Sequence, residues 1–323
     1  MVETKVINTE SYETLQQEVT ELNRVLVIGL GQLGLPVAKY IKQRGRFDVY
    51  GYDISSKAMD RAQTTAGIKK ATNFSDFDVY ILCISTHKPE DMFSPQIEGL
   101  LSIIDKISKE AKNGALVSIE STIPKGTSKK VFEMLNHKLH VAHAPHRWYA
   151  LEEQEHGVNQ VRVIGGVCDC CLKIAMYFYD GRSENMNNSS SSSSSSFSNE
   201  EKSKAKSLGI PMHPVSDIEI AELAKIIENA DRYLQIAFAE DLYIYCQANN
   251  ISFPELRDAV NTKWNVHILE PREGIGGHCL PKDTKMFLQS SKSIKSKILQ
   301  AAIEVDQDYR RYREAREIKG IET

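Results

Sequence analysis

The sequence predicts an α/β protein in which a doubly wound parallel sheet is followed by an all-helical domain. Three observations predict this fold. Short apolar runs alternate with helical patterns up to about residue 215, a glycine-rich loop follows the first run, and one long helical pattern occupies 217–249. The expected organisation is an N-terminal helical extension at 1–23, a sheet domain at 24–215, and a central helical domain with a long connecting helix at 216–323.

The first predicted strand, Arg24–Ile28, is a short β-branched run typical of a buried parallel strand. It leads into Gly29-Leu30-Gly31-Gln32-Leu33-Gly34, which a helical pattern follows. In such a loop Gly29 allows a tight turn, Gly31 lets a pyrophosphate approach, and Gly34 lets helix and strand pack closely. Free N–H groups at the helix start bind phosphate. The segment therefore predicts a Rossmann-like dinucleotide-binding domain.

A second strand, 48–52, ends at Asp53, about twenty residues beyond the glycines. A carboxylate at this position accepts hydrogen bonds from the ribose hydroxyls of the cofactor and repels a 2′-phosphate. The predicted cofactor is therefore NAD. Lys57 and Arg61 follow closely, which leaves NADP open as an alternative.

The remaining elements extend the alternation of strand and helix. Apolar runs predict strands at 79–84, 115–119, 161–164 and 210–215, with a helix at 97–107. Residues 8–22 have the spacing of a short amphipathic helix that packs or contacts a partner. The serine run Ser189–Ser196, within 183–203, lacks apolar residues and predicts a disordered surface insertion.

The long helical pattern from Asp217 to Asn249 has apolar residues on more than one face, including Ile236, Phe238 and Tyr243. A helix that is apolar nearly all round is buried on several sides. A helix of this length is expected to connect two domains or to form the core of a dimer. Further helices are predicted at 253–260 and 298–319.

Composition excludes several classes of protein. A net charge of −3 over 323 residues predicts no general attraction to nucleic acid or to an anionic membrane. No apolar run approaches the roughly 20 residues that span a bilayer, and the N-terminus lacks a signal-peptide core. Six cysteines, several of them within apolar runs, are typical of a reduced, cytoplasmic protein.

A second glycine-rich segment, Gly274–Asp283, contains Cys279 after three glycines and an acid four residues later. A helix that begins after the glycines would place Cys279 and Asp283 one turn apart on one face. The helix N-terminus would also stabilise a thiolate. On its own a free cysteine is more often a small buried hydrophobe. The sequence predicts a reactive thiol only in combination with the other motifs.

Several segments together resemble the UDP-glucose/GDP-mannose dehydrogenase family over residues 24–290. They are Gly29–Gly34, Thr86, Glu120–Thr127, Glu222–Asn229 and Gly276–Asp283. The resemblance implies oxidation of a nucleotide sugar's C6 alcohol to a carboxylate with two NAD, in a homodimer formed through the long helix. The Gly-Gly-His-Cys segment and 261–267 are most similar to the branch acting on UDP-N-acetylhexosamines. Leu280–Asp283 is more similar to UDP-glucose 6-dehydrogenase, so both substrates stay open.

The resemblance also implies residue roles. Cys279 forms a thiohemiacetal and then a thioester, Lys225 stabilises the oxyanion, and Asp283 pairs with Lys225. Asn229 orients the sugar or a water, and Thr122 holds the hydrolytic water. The implied cofactor contacts are Gly29, Gly31, Gln32, Leu33, Gly34, Asp53, Thr86 and Ser121. The implied substrate contacts are His146, Arg147, Lys225, Asn229, Gly276 and Gly277.

Two departures from the family pattern raise alternatives. Pro145-His146-Arg147 stands where the family has Pro-Glu-Arg, and the sequence ends at Thr323, before the family's third domain. A non-catalytic NAD-binding subunit, or one that needs a partner chain for that domain, is therefore an alternative. Another is a two-domain dehydrogenase for a smaller hydroxy acid, although one oxidation has no use for Cys279.

Two patterns suggest metal ligands but predict none. His137, His140, His143 and His146 recur every third residue, yet residues three apart on a strand point to opposite faces. Cys168-x-Cys170-Cys171 lacks a matching second pair, so a packed or mildly reactive cluster is expected instead.

Overall fold

The computed structural model describes residues 22–88, 90–91, 94–147, 157–181, 206–290 and 296–318. Apart from Leu22, the predicted N-terminal helix at 8–22 lies outside these residues, as does the serine-rich insertion at 183–203. Two compact units divide the chain. The first comprises Met1–Thr86 and Ile97–Glu222, and the second comprises His87–Gln96 and Leu223–Thr323.

The first unit is built on a single eight-stranded sheet. Its strands are β1 (Arg24–Ile28), β2 (Asp48–Tyr52), β3 (Lys69–Lys70), β4 (Val79–Leu82), β5 (Leu116–Ile119), β6 (His140–His143), β7 (Arg162–Gly166) and β8 (Met212–Pro214). Its helices are α1 (Gly34–Arg44), α2 (Ser56–Ala66), α3 (Glu98–Glu110), α4 (Thr127–Met134) and α5 (Asp169–Tyr179). The predicted Rossmann-like α/β architecture is confirmed.

The strand order is β3-β2-β1-β4-β5-β6-β7-β8. Strands β1 to β6 are all parallel, with β1 between β2 and β4. Strand β7 runs antiparallel to β6 and parallel to β8, so the sheet is mixed rather than wholly parallel. The order reverses between β1 and β4, which is the point where doubly wound sheets bind ligands at the carboxyl ends of their strands.

Side chains alternate along β1 and enter two separate cores. Val25 and Val27 pack in the cluster that includes Ile41 of α1 and Ile174 of α5. Leu26 and Ile28 pack in the cluster that includes helices α3 and α4. Because successive strand residues point to opposite faces, the uninterrupted apolar run of β1 requires helices on both faces of the sheet.

The second unit is helical. Helix α6 (Ile218–Ala248) begins in the first unit and continues into the second, followed by α7 (Phe253–Asn261), α8 (Cys279–Gln289) and α9 (Lys297–Ile318). Tyr233, Ala237, Ile275 and Ala302 form a buried apolar cluster in this unit. None of the described helices is long and apolar enough to cross a membrane.

The first unit ends at Glu222, and the domain boundary expected after residue 215 stays a prediction. The Glu222 carboxylate accepts hydrogen bonds from the backbone N–H groups of Gly126 and Ser128, at 2.6 and 2.7 Å. These bonds fasten the N-terminal part of α6 to the start of α4. The sheet unit therefore extends through Glu222.

Candidate active site

The first glycine loop is held by close backbone packing. Gly29 has φ +87°, and a Cβ there would lie 2.5 Å from the carbonyl oxygen of Cys83. A Cβ on Gly34 would lie 1.7 Å from the carbonyl oxygen of Gly29, whereas a Cβ on Gly31 would meet no atom within 4 Å. Two glycines are thus required by the turn itself. Gly31 leaves open space beside the start of α1, where a pyrophosphate fits.

Asp53 follows β2 and fastens the same loop. Its carboxylate accepts hydrogen bonds from the backbone N–H groups of Leu30 (2.7 Å) and Ser55 (2.8 Å). An ionised carboxylate has about four acceptor sites, so capacity for the ribose hydroxyls remains. Arg61 donates to the carbonyl oxygen of Leu30 at 3.1 Å, which places a cation near the position of a 2′-phosphate. The glycine loop and Asp53 together fit an adenine dinucleotide.

Residues at the carboxyl ends of β4 and β5 lie together. The Thr86 hydroxyl donates to the carbonyl oxygen of Thr122 at 2.7 Å. The Ser121 hydroxyl lies 2.7 Å from the carbonyl oxygen of Ile84. The adjacency of β1, β4 and β5 therefore brings these three predicted residues to the edge of the sheet that carries the glycine loop.

A buried charged cluster lies behind this edge. Glu120 is fully buried and accepts hydrogen bonds from Tyr179 and His146, and Arg162 lies 3.1 Å from its carboxylate. Burial alone would raise the pKa of Glu120, but Arg162 and His146 lower it to about 2. The carboxylate is therefore ionised at neutral pH.

Sequence reasoning did not predict that Arg162 and Tyr179 take part in this cluster, because they come from β7 and α5, distant along the chain. The structure holds His146 to Glu120, while Arg147 donates to the carbonyl oxygen of Val161 at 3.2 Å. A role for either residue in binding substrate remains a prediction.

The second glycine loop presents the predicted nucleophile. Helix α8 begins at Cys279, whose side chain is exposed, and the His278 Nε2 atom lies 3.5 Å from its sulfur. The ring of His87 lies 5.3 Å from that of His278. Desolvation by the surrounding protein atoms and the charge of Asp283 raise the pKa of the Cys279 thiol, although Lys282 and Lys225 oppose them. Burial, His87 and Lys282 lower the pKa of His278. At neutral pH the pair is therefore a thiol beside an uncharged imidazole.

Asp283 lies one turn after Cys279 in α8 and is almost fully buried. The Asn229 amide of α6 donates to its carboxylate, and the Lys282 ammonium lies 3.0 Å from it. The ion pair expected between Asp283 and Lys225 is therefore not the one observed. Lys282 precedes Asp283 directly in the same helical turn and takes that position, while Lys225 contributes its charge to the thiol.

Helix α9 fixes the glycine loop that precedes Cys279. The backbone N–H of Ile275 donates to the Asp306 carboxylate at 2.8 Å, and Tyr233 donates to the same carboxylate at 3.2 Å. Arg310 donates to the carbonyl oxygen of Ile275 at 2.7 Å. Asp306 and Arg310 were not predicted, because only a folded α9 brings them to the loop. Side chains of α9 thus hold the loop at Ile275, while Gly276 and Gly277 have open space around them.

Comparison with known proteins assigns both units. Residues 58–181 match the sequence profile of the UDP-glucose/GDP-mannose dehydrogenase family, NAD binding domain. Residues 219–308 match the central domain of the same family. The chain belongs to the UDP-glucose/GDP-mannose dehydrogenase family. The first unit is accordingly an NAD-binding domain, as the glycine loop and Asp53 predict. The protein is an oxidoreductase, as the resemblance implies.

Known proteins are similar to this chain over most of its length. A UDP-N-acetyl-D-mannosamine dehydrogenase of Methanococcus maripaludis is 26% identical over 90% of this chain and 67% of its own length. The solved UDP-D-ManNAc dehydrogenase of Pyrococcus horikoshii has a TM-score of 0.72 at 26% identity, over 92% of this chain and 72% of its own. The chain thus spans about two thirds of the length of these relatives.

A shorter protein shares the fold alone. The 3-hydroxyisobutyrate dehydrogenase of Mycobacterium tuberculosis has a TM-score of 0.64 at 13% identity, over 89% of this chain and 94% of its own. The two-domain architecture is therefore common to more than one kind of dehydrogenase, and the residues of the site have to decide between them.

Proposed function

We propose that the protein oxidises the C6 alcohol of a UDP-sugar to the uronic acid. The favoured substrate is a UDP-N-acetylhexosamine. The carrying observation is the exposed Cys279 at the first residue of α8, beside His278 and one turn before the buried Asp283. A nucleophilic thiol serves a dehydrogenase only when an aldehyde must be oxidised further, because an aldehyde has no second hydride to lose until its carbon becomes tetrahedral. The names of the two long relatives support the N-acetylhexosamine, and UDP-glucose is the alternative.

When bound, NAD supplies the acceptor for one hydride in each of two oxidations. Gly31 and Asp53 would hold its pyrophosphate and adenosine ribose, and Thr86 and Ser121 would line the nicotinamide side. The geometry of the first unit supports this assignment, because the predicted contacts lie along one edge of the sheet.

The covalent step requires proton transfer from the Cys279 thiol. His278 Nε2, at 3.5 Å and uncharged at neutral pH, is placed to accept that proton as the sulfur adds to the aldehyde carbon. The proton then passes to the carbonyl oxygen to complete the thiohemiacetal, and Lys225 stabilises the negative charge that develops on this oxygen. Loss of the second hydride from this carbon, with the hydroxyl proton passing to solvent, would leave a thioester on Cys279.

Hydrolysis restores the thiol. Water adds to the thioester carbon, the carboxylic acid leaves, and the sulfur takes back a proton. Thr122 would hold this water, and Asn229, itself fixed by the Asp283 carboxylate, would orient the sugar or the water. In this role Asp283 is a positioning residue, and desolvation and its charge together raise the pKa of the Cys279 thiol.

The decisive experiment measures NADH formed per sugar. Purified protein is incubated with NAD and, separately, UDP-N-acetylmannosamine, UDP-N-acetylglucosamine, UDP-glucose or 3-hydroxyisobutyrate. The proposal predicts two NADH per molecule of a UDP-N-acetylhexosamine. One NADH per hydroxy acid, with none from UDP-sugars, would establish the shorter dehydrogenase instead.

A non-catalytic NAD-binding subunit is the rival from another class. The observation that favours it is His146, which stands at the family's glutamate position and is held by the buried Glu120. Calorimetric binding of NAD without turnover of any UDP-sugar would support this rival. Turnover restored by a separate UDP-binding chain would instead identify a catalytic subunit of a hetero-complex.

We further propose a homodimer formed through α6. Ile227, Phe238 and Tyr245 are 46%, 54% and 57% exposed, and their spacing places them on one helical face. Phe238→Asp is expected to give a monomer by light scattering, whereas Ile298→Asp, on α9, is expected to leave the dimer intact. A monomeric wild-type protein would refute the interface. The six free thiols support a reducing, cytoplasmic location.

A further inference from the structure

Three cysteines and a histidine meet at the start of α5, away from the dehydrogenase residues of the first unit. Cys168 caps the helix, and Cys170 and Cys171 lie in its first turn. His140 begins β6, which lies thirty residues earlier in the sequence. Two patterns that carry no metal prediction separately are therefore brought together by the packing of α5 against the sheet.

The donor atoms are close enough to share one ion. One sulfur or ring nitrogen from each of His140, Cys170 and Cys171 lies within 4.8 Å of the others. The Cys168 sulfur lies 2.8 Å from that of Cys170 and 3.2 Å from that of Cys171. The His140 Nδ1 atom lies 3.6 Å from the Cys171 sulfur. Ligands about 2.3 Å from a tetrahedral Zn²⁺ lie about 3.8 Å apart, so small side-chain rotations suffice.

The start of α5 offers free backbone N–H groups to sulfurs that become anionic on binding an ion. The N–H groups and dipole of the α5 N-terminus stabilise thiolates in the first turn. The backbone N–H of Val141 also donates to the Cys171 sulfur at 3.4 Å, a hydrogen bond that orients a ligand and stabilises its charge. A structural disulfide would use only two of the sulfurs and would have no role for His140.

The site is also reachable. The Cys168 side chain is exposed, and it lines an open cavity of about 340 Å³ together with Lys129 and Asp217. Cys171 is buried and His140 and Cys170 are half-buried. An ion would therefore enter through the cavity and be bound by the buried and half-buried ligands. A metal site needs both an entry path and such ligands.

We propose that His140, Cys168, Cys170 and Cys171 bind a single thiophilic divalent cation of the Zn²⁺ type, with three sulfurs and one nitrogen as ligands. Each thiol that becomes a ligand releases its proton to solvent, and the neutral imidazole binds through its lone pair. The ion would join the start of α5 to β6 and so act as a structural clamp within the NAD-binding domain. It takes no part in the proposed oxidation.

The test titrates Zn²⁺ into the reduced, metal-free full chain and measures stoichiometry by elemental analysis and affinity by chelator competition. One equivalent is expected, with a rise in Tm. Cys170→Ser and His140→Ala are each expected to weaken binding at least tenfold, the scale seen when a ligand or its support is removed. Cys279→Ser and His213→Ala remove an exposed thiol and an exposed histidine elsewhere, and both are expected to bind as the wild type does.

Co²⁺ provides a measurement on the unaltered chain in case a variant fails to fold. Three thiolate ligands predict intense thiolate-to-cobalt charge-transfer absorption and the visible bands of tetrahedral Co²⁺. Zn²⁺ binding that is unchanged by Cys170→Ser and His140→Ala would overturn the proposal. So would a folded, reduced wild-type protein that binds no Zn²⁺, or a Co²⁺ spectrum without sulfur charge transfer. A mass two hydrogens lighter, with no metal binding after reduction, would identify a disulfide instead.

Discussion

Each unit of the protein places a glycine-rich loop directly before a helix, and in each unit one carboxylate fastens that loop. In the first unit Asp53 accepts the N–H of Leu30 at 2.7 Å. In the second unit Asp306 accepts the N–H of Ile275 at 2.8 Å. The two loops are anchored in the same way, but the structural requirement for glycine differs between them.

In the first loop, backbone atoms occupy the space that a side chain would need. A Cβ on Gly34 would overlap the carbonyl of Gly29, at 1.7 Å. In the second loop, a Cβ on Gly276 or Gly277 would meet no atom within 4 Å, although Gly277 has φ +72°. Gly29 and Gly34 before the NAD-binding helix are therefore required by packing, whereas Gly31 has open space. Gly276 and Gly277 before Cys279 serve access and backbone conformation, which leaves a space that substrate can enter.

The largest expected effect is on the chemistry of the second loop. Cys279→Ser should reduce formation of the uronic acid by about 10³-fold or more, because no thiohemiacetal can form, while NAD binding stays unchanged. Separation of aldehyde and acid products by chromatography measures this. Cys246→Ser, a buried cysteine outside the site, is the control. Undiminished acid formation by Cys279→Ser would show that the aldehyde is oxidised as its hydrate.

The comparison of glycines predicts a difference in stability. Gly34→Ala should destabilise the first unit by about 3 kcal/mol or more, because helix and loop must separate to admit the methyl group. Gly276→Ala should change the free energy of unfolding by less than about 0.5 kcal/mol, since it fills open space. Urea unfolding of both variants measures the contrast. Similar losses for the two would mean that the second loop is as closely packed as the first.

Asp53→Ala tests the first carboxylate. Loss of its hydrogen bonds to the ribose should weaken NAD binding by about 1.5–3 kcal/mol, roughly tenfold to a hundredfold. Because Asp53 also holds Leu30, part of this loss is expected to come from the loop itself. Calorimetry gives the affinity, and Asp60→Ala, on the exposed side of α2, is the control. Unchanged affinity would place the ribose contact elsewhere.

Asp306→Ala tests the second carboxylate. The buried N–H of Ile275 would lose its acceptor, which costs about 1–3 kcal/mol, and the loop before Cys279 would lose its anchor. We expect a lower kcat for acid formation with unchanged NAD affinity. Asp308→Ala, two residues away and exposed, should behave as the wild type. A loss of NAD affinity in Asp306→Ala would contradict the assignment of NAD binding to the first loop and of acid formation to the second.

The last expected effect is a pH dependence in the second unit. Burial and Asp306 raise the pKa of Glu240 to about 8 from an ordinary value of 4.5. The folded protein therefore retains a proton that the unfolded chain releases, so stability falls as pH rises from about 4.5 to about 8. Glu240→Gln should reduce this slope and so stabilise the protein at pH 8 relative to the wild type, because the amide has no charge to bury. Urea unfolding at pH 5 and pH 8 measures it, and an identical slope in both proteins would refute the assignment.

The sequence by itself determined the features that depend on neighbours along the chain. The strand, glycine loop and helix at 24–44, the carboxylate after β2 and the helix beginning at Cys279 all follow from local spacing and steric demand. The long helix, predicted at 217–249, is observed at Ile218–Ala248. Apolar periodicity predicts such elements because a helix or strand must bury one face whatever its partner is.

The tertiary structure decided which distant side chains meet. Glu120 with Arg162, Asp306 with Ile275, and His140 with Cys171 join residues that are 31 to 42 positions apart. Local patterns contain no information about such pairs, because sheet order and helix packing bring them together only after folding. The ion pair of Asp283 could not be predicted either. The resemblance implied Lys225 as its partner, but the side-chain orientations in α8 bring Lys282 to it instead.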